Sequence, residues 1–504
     1  MKTIHSTPLS PVIILGIPFH NVTFDETVAW ARDRIRSRKP GYIATANIDF
    51  VMQARRDPEL QRILLEADLV VADGIPIVWL SSWLGPRLKA RVTGSDLVPL
   101  FAEMARDNGF SLFHLGGAAG VAEKAAEVLV SRFPGLRVAG CYSPPKADVL
   151  NMNHAEILAR LAAVQPDLLL VAFGAPKQEK WVNLNRGRLK VPVSIGIGGS
   201  LDFLAGVQTR APVFVQRLAL EWLWRMFSDP PRLFRRYVGN IGFFFATVLK
   251  LLAARYGTDR AARAVTANAS VGAELGRLGL IEPYVRIEDD RQSETFQNRI
   301  SALPEDRPVV LDMAGVPWLS SLELGVLIRL TKVFRERNQG LILTGIGTRI
   351  KRLFVLYRLT EYLEIAEEDG VVAAAIKSCN MSIREGRIGN DEGDRLVARI
   401  PLELTVANLD EFKQRWGETC VNVQSSREWI LDLSQTRFVD SAALGFFVSL
   451  KKRATDAGIP LLFTGIQSSV RQTFRIAKME SLLPDPETSP AVTTTGSPHQ
   501  QPEP

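Results

Sequence analysis

From Val12 to about Lys190 the chain alternates short apolar runs with amphipathic stretches, a pattern that few architectures accept. The apolar runs are VIILGI (from Val12), GYIATAN (from Gly41), LVVAD (from Leu69), SLFHLGG (from Ser111), DLLLVAFG (from Asp167) and, just beyond, VPVSIGIGG (from Val191). Between them lie helical candidates at Thr23–Arg38, Asp57–Ala67, Gly94–Asn108, Val121–Phe133 and Ala155–Val164. Brief apolar runs bounded by turn formers read as buried parallel strands. Strands alternating with amphipathic helices predict βαβ units and a mostly parallel, right-handed, Rossmann-like sheet. The first run, which contains the only apolar patch of the N-terminus, reads as the first strand of that sheet.

In open α/β sheets ligands sit beyond the carboxyl ends of the strands. Here those ends carry Thr45 and Asn47, Asp73 and Gly74, Gly116 and Gly117, Gly174 to Gln178, and Gly198 to Ser200. Asp73 stands where chemistry is expected, although it would serve equally well as the cap of a helix starting near Ile75, with Pro76 in its first turn. The turn LGGAAG (Leu115–Gly120) leads into a helix, so its amides are placed to cradle a pyrophosphate; such a turn also serves tight strand-to-helix packing. No DxD pair occurs on these loops, so no bound divalent metal or other cofactor is expected.

The run from Arg210 to Arg255 differs in character. It sets Arg210, Arg217, Arg225, Arg232, Arg235 and Arg236 among Trp222, Trp224 and Phe227, then continues into the apolar patch Ile241–Leu252. Arginine beside tryptophan suits a helix lying at a membrane interface or gripping phosphates. A helical lid packed on the core would account for the aromatics but not for the arginines. The apolar patch falls short of the roughly 18 residues needed to span a bilayer. The N-terminus lacks the apolar core of a secretion signal. Three scattered cysteines with no CxxC, and five histidines with no ligand pair, fit a reducing compartment rather than a disulfide or zinc framework.

After a small-residue linker the chain repeats itself. VVLDMAGVPWLSSLELGVLIRLTKVFRERNQGLILTGI (Val309–Ile346) matches WILDLSQTRFVDSAALGFFVSLKKRATDAGIPLLFTGI (Trp429–Ile466) without a gap. Asp312 aligns with Asp432, Ser321 with Ser441, Gly325 with Gly445 and Thr344 with Thr464, so each copy should be one small α/β domain. The resulting organisation is an α/β core over 1–209, a basic-aromatic appendage over 210–256, a linker over 257–276, two small domains over 277–377 and 378–484, and a disordered tail over 485–504.

Residues 12–250 carry the ordered motifs TANIDFV (Thr45–Val51), EADLVVADGIP (Glu66–Pro76), RVTGSDL (Arg91–Leu97), FGAPKQEKW (Phe173–Trp181), GIGGSLDFLAG (Gly196–Gly206) and RAP…LEWLWR…DPPRLFRRY (Arg210–Tyr237). This half resembles the WecG/TagA/CpsF glycosyltransferases (glycosyltransferase family 26). The resemblance implies inverting transfer of an N-acetylmannosamine-type sugar from a UDP-sugar donor to a polyprenyl-pyrophosphate-linked acceptor, in exopolysaccharide or cell-envelope synthesis. Asp73 matches the family's proposed general base, and Thr45, Asn47 and Gln178 match pocket residues. Arg225, Arg232 and Arg235 match arginines thought to contact the donor diphosphate. Gly74, Arg91, Gly116, Gly117, Glu179, Gly198 and Gly199 complete the expected substrate-binding set.

The repeated half resembles STAS domains, the fold of anti-sigma-factor antagonists. DLSQTRFVDSAALG (Asp432–Gly445) fits closely and puts Ser441 at the position phosphorylated in them. A phosphate there would add about −2 charge at a helix start and could switch docking; the plainer alternative makes Ser441 an N-cap. In the first copy Ser320 replaces the aspartate, Leu322 and Glu323 replace small residues, and Pro317–Trp318 intrude, so regulation through Ser321 is not expected.

The expected partners are the UDP-sugar, the lipid-linked acceptor, the inner face of the cytoplasmic membrane, and a protein or kinase for the tandem. Nucleic acid is not among them, and self-association is left open. The competing reading is a regulatory protein that binds a nucleotide sugar without turnover and signals through its STAS domains. A dinucleotide oxidoreductase is set aside because no GxGxxG follows the first strand.

Overall fold

A computed structural model describes residues 11–209, 212, 224, 248–249, 284–286, 309–314, 316, 318–337, 339–366, 387–391, 395–422 and 428–483. Apart from residues 212, 224, 248 and 249, the arginine-rich appendage, including Arg225, Arg232 and Arg235, lies outside the described residues, as do the linker and the tail. The chain divides into two compact units, Met1–Met381 and Ser382–Pro504.

In the first unit the hairpin β1 (Val12–Ile14) and β2 (Ile17–Phe19) precedes α1 (Phe24–Arg36), β3 (Gly41–Ala46), α2 (Ile48–Ala54), α3 (Pro58–Glu66), β4 (Leu69–Ala72) and α4 (Ile75–Leu84). Then come α5 (Gly94–Asn108), β5 (Ser111–Gly116), α6 (Val121–Arg132), β6 (Arg137–Tyr142), α7 (His154–Val164), β7 (Leu168–Ala172), α8 (Lys177–Asn185), β8 (Val193–Gly196) and α9 (Ser200–Leu204). The sheet has six strands in the order β4-β3-β8-β7-β5-β6, and every pairing in it is parallel. Five of its six strands lie where the apolar runs predicted them. The edge strand β6 was not foreseen: its sequence, RVAGCY, is only half buried and has no apolar run.

The first apolar run does not join this sheet. Leu15 and Gly16 take positive φ angles of 53° and 85°, which fold VIILGIPF back as an antiparallel pair, Val12 opposite Phe19. The hairpin runs on to the edge of β4, where the His20 amide donates to the Val70 carbonyl (2.9 Å) and the Val70 amide donates to His20 Nδ1 (3.0 Å). Burial, helped by nearby Lys332, pushes His20 down to about 4, so its ring stays neutral and can accept that bond.

The same unit contains the first STAS-like sheet: β9 (Tyr284–Arg286), β10 (Val309–Asp312), β11 (Leu341–Thr344) and β12 (Glu364–Ile365), all parallel, with α10 (Ser321–Glu336) and α11 (Thr348–Tyr357). One hydrophobic core runs through both parts, from Val12, Ile13 and Phe50 to Leu324, Ile328, Phe354 and Tyr357. Polar groups stitch the seam. Arg55 donates to the Leu356 carbonyl and Gln61 Nε2 to the Tyr357 carbonyl (both 2.8 Å), satisfying carbonyls that the last turn of α11 leaves open. Lys332 returns the favour at the end of α3, donating to the Glu66 carbonyl (2.8 Å) beside Asp68 (3.3 Å). Burial alone would raise the Asp68 carboxyl, but Lys332 and Arg186 outweigh it and hold it below the usual range.

The second unit repeats the plan with β13 (Arg387–Asp391), β14 (Arg395–Arg399), β15 (Glu403–Leu404), α12 (Leu409–Asn422), β16 (Glu428–Asp432), β17 (Phe438–Val439), α13 (Ser441–Asp456), β18 (Leu461–Thr464) and α14 (Ser468–Ile476). The repeat shows at the level of atoms. Asp312 Oδ1 accepts from the Ala314 amide and Asp432 Oδ1 from the Ser434 amide, both at 2.9 Å. Ser441 is not the N-cap: that place belongs to Asp440, whose side chain accepts from the Ala443 amide (3.0 Å), while Ser441 is buried in the first turn.

Ser321, Gly325, Ile328 and Lys332 recur along one stripe of α10 at helical spacing. Ile328 is 1% exposed. Ile328→Ala should cost about 2–5 kcal/mol, and because the core is shared, amide protection in β3 and β7 should fall along with that in α10. Loss of protection confined to residues 309–366 would show two separate cores instead.

Candidate active site

Because the six strands are parallel, their carboxyl ends share one edge, and the polar strand ends gather there. At β4 the Asp73 amide donates to the Ala46 carbonyl (3.0 Å), fixing Asp73 beside the end of β3. The cap position of α4 is Gly74, and no side chain accepts a bond there. Asp73 therefore stands one residue before that cap position, at the end of β4. Its residue is half-buried at the mouth of the sheet.

Asn47 follows β3 and caps α2, its side chain accepting from the Phe50 amide (3.0 Å). That engages Oδ1 and leaves the Nδ2 amide as the group Asn47 can offer a ligand. Gly74 packs against it, since a Cβ on Gly74 would lie 3.8 Å from the Asn47 Cβ. Arg91 joins this group through the backbone: the Val92 amide donates to the Ala72 carbonyl (2.8 Å), setting Arg91 alongside the end of β4. Its guanidinium lies 3.6 Å from Asp96, and its side chain keeps 22% exposure. Asp73, Gly74, Asn47 and Arg91 thus form one cluster over β3 and β4.

A second cluster lies over β3 and β8. Thr45 donates its hydroxyl to the Gly196 carbonyl (2.9 Å), tying the two strand ends together. Gln178 is 3% exposed and its Oε1 accepts from the Gly198 amide (3.1 Å), which fixes the Gly198–Gly199 turn. Gly196 must be glycine, because a Cβ would fall within 3.0 Å of the Gln178 and Glu179 side chains. Glu179 is fully buried and accepts from the Tyr42 hydroxyl (2.9 Å). Thr45, Gln178 and Glu179 therefore form the floor of the site and set its loops.

On the far side of the sheet, Gly116 and Gly117 take φ of 105° and 84°, and a Cβ on Gly116 would lie 2.7 Å from the Ala172 carbonyl oxygen. The turn leads into α6, whose cap position, Gly120, provides no side-chain acceptor. Helix-start amides left open in this way suit an anionic group. Tyr42 and Ser143, whose hydroxyl donates to the Gly116 carbonyl (3.1 Å), belong to the site as well. Sequence reasoning missed both. The Tyr42–Glu179 bond joins residues 137 positions apart, and no local signal announces such a contact.

A sequence model of the glycosyl transferase WecG/TagA/CpsF family matches residues 12–257, and the STAS domain model matches residues 289–369 and 388–494. The transferase half is 34% identical over 212 residues to an N-acetylglucosaminyldiphosphoundecaprenol N-acetyl-beta-D-mannosaminyltransferase of Bacillus spizizenii, covering 42% of this chain and 80% of that protein. It is 29% identical over 226 residues to a protein of the same name from Staphylococcus aureus (strain MW2), covering 44% of this chain and 87% of that protein.

Burial raises the Glu179 carboxyl from its ordinary 4.5 to about 7, against the opposing hydrogen bonds from Gln178 and Tyr42. Between those two pH values the folded chain keeps a proton that the unfolded chain releases, so stability falls as pH rises through this window and levels off above it. Glu179→Gln keeps the bond from Tyr42 and removes the titration. The variant's stability relative to wild type should be more favourable at pH 8 than at pH 5, by up to ~3 kcal/mol. Urea midpoints whose difference does not change with pH would show that Glu179 is ionised in the fold.

Proposed function

The chain belongs to the WecG/TagA/CpsF family of glycosyltransferases, and on that premise we propose that it moves an N-acetylmannosamine-type sugar from a UDP donor to a polyprenyl-diphosphate-linked N-acetylglucosamine, with inversion. The observation that carries the reading is the placement of Asp73: at the carboxyl end of β4, one residue before the cap position of α4, with Asn47 and Arg91 set alongside. The names borne by the relatives support the choice of sugar and acceptor.

In this reading the acceptor hydroxyl oxygen attacks the anomeric carbon from the face opposite UDP. Asp73 takes the hydroxyl proton as the new C–O bond forms. The old C–O bond breaks, and its electron pair leaves on the UDP diphosphate. The growing charge there is met by the open amides at the start of α6 and by Arg225, Arg232 and Arg235 of the appendage. Arg91 adds positive charge near the reacting centre. Arginines and helix-start amides supply the charge stabilisation that metal-dependent transferases take from a divalent ion. The lipid-linked acceptor implies work at the inner face of the cytoplasmic membrane; no described helix is long and apolar enough to cross one.

The test is acceptor-dependent UDP release from a panel of UDP-sugars, with a short-lipid-diphosphate N-acetylglucosamine as acceptor. Asp73→Asn should lower kcat by about 10²–10⁴, the usual worth of a general base. Turnover at the wild-type rate in that variant would remove Asp73 from its role. Nucleotide binding without release for any donor would favour the signalling reading.

A further inference from the structure

In the first STAS domain, Ser321 occupies the position that marks a regulatory serine in such domains, yet it faces inward. It is 6% exposed, and its hydroxyl donates to the carbonyl of Leu84, the last residue of α4 (2.7 Å). The approach is close enough that a Cβ on Gly85 would lie 2.8 Å from that of Ser321. One turn further along α10, Gly325 sits against the Pro11 carbonyl with no room for any side chain. A third glycine, Gly16, meets the Tyr357 carbonyl of α11 in the same way.

The other end of α4 is the start of the proposed site. Asp73 and Gly74 immediately precede it, and Gly74 packs on Asn47. The helix is ten residues long, about 15 Å. The cap position at its amino end is Gly74, and its carboxyl end is held from outside by α10. We propose that the first STAS domain is a positioning element of the transferase site, with Ser321 a positioning residue that acts through α4 on Asp73 and Asn47. The proposal rests on the transferase reading above. It also gives the meaning of the inward serine: a phosphate on Ser321 cannot coexist with the seam, because its charge would face the Leu84 carbonyl where the hydroxyl now donates.

The experiment uses the full-length protein with UDP-N-acetylmannosamine and the short-lipid acceptor, and compares Ser321→Ala, Ser321→Asp and Ser441→Asp. Ser321→Asp should lower kcat by about tenfold or more, as small displacements of reacting groups do, while KM for the donor stays within about twofold. Amide exchange over residues 75–84 should quicken in the same variant while β7 and β8 stay protected. Ser321→Ala should show both effects more weakly, and Ser441→Asp neither. Wild-type kcat in Ser321→Asp, or a lost kcat with α4 still protected, overturns the proposal. So does Ser441→Asp reproducing both effects. If Ser321→Asp exchanges throughout and has simply unfolded, Ser321→Ala decides: wild-type kcat and wild-type α4 exchange together overturn it. A wild type that turns over no sugar removes the transferase reading alone, and α4 exchange in the variants then decides the coupling.

Discussion

The hairpin from Val12 to Phe19 is apolar and buried on both its faces, and among the described residues no third strand pairs with it. Burial of that surface is what holds the first unit together. It packs against α3, α4 and the edge of β4 in the transferase part and against α10 in the STAS-like part. Removing apolar surface from water contributes roughly 25 cal/mol per Å², and a hairpin covered on one side only would forfeit about half of it. The first STAS domain thereby becomes part of the transferase core. The glycines at the seam follow from the same constraint: Gly16, Gly85 and Gly325 let backbones approach where any side chain would force them apart.

The site divides its polar groups between construction and chemistry. Thr45 and Gln178 have hydrogen bonds committed to a neighbouring strand end and loop, and Tyr42 donates to the Glu179 carboxyl on α8. Such groups give precise placement because buried polar atoms without partners are costly. The Asp73 backbone is pinned by the sheet, and the cap position of α4 is the glycine one residue later. A glycine at that position gives up only roughly a few tenths of a kcal/mol relative to a side-chain cap.

Much of this was legible in the sequence for a physical reason. Strands buried on both faces read as unbroken apolar runs, so β3, β4, β5, β7 and β8 declared themselves, and parallel pairing then put their polar ends on one edge. The edge strand β6 did not, because half exposure removes the pattern. The hairpin was misread as one strand, although Gly16 lay in the middle of the run at the point where the chain reverses. Asp73 remained ambiguous because the same residue type serves a cap and a base, and the sequence does not fix to the residue where α4 begins. The seam had no local signature at all: Ser321 and Leu84 are 237 positions apart.

The sequence differences between the two STAS copies look like decay when aligned, but the structure gives them a purpose. In the second copy Asp440 caps α13 and also accepts from the Val406 amide (2.8 Å). In the first copy Ser320 takes the cap, and Glu323 completes a capping box by accepting from the Ser320 amide in return. Ser320 and Glu323 are thus the paired solution to the same problem of open helix-start amides. The exchange also places a neutral hydroxyl, where the second copy has a carboxylate, next to the serine that docks on Leu84. A buried seam tolerates an uncharged donor far better than a charge without a partner. The departures in the first copy thus accompany a helix start that is packed against α4.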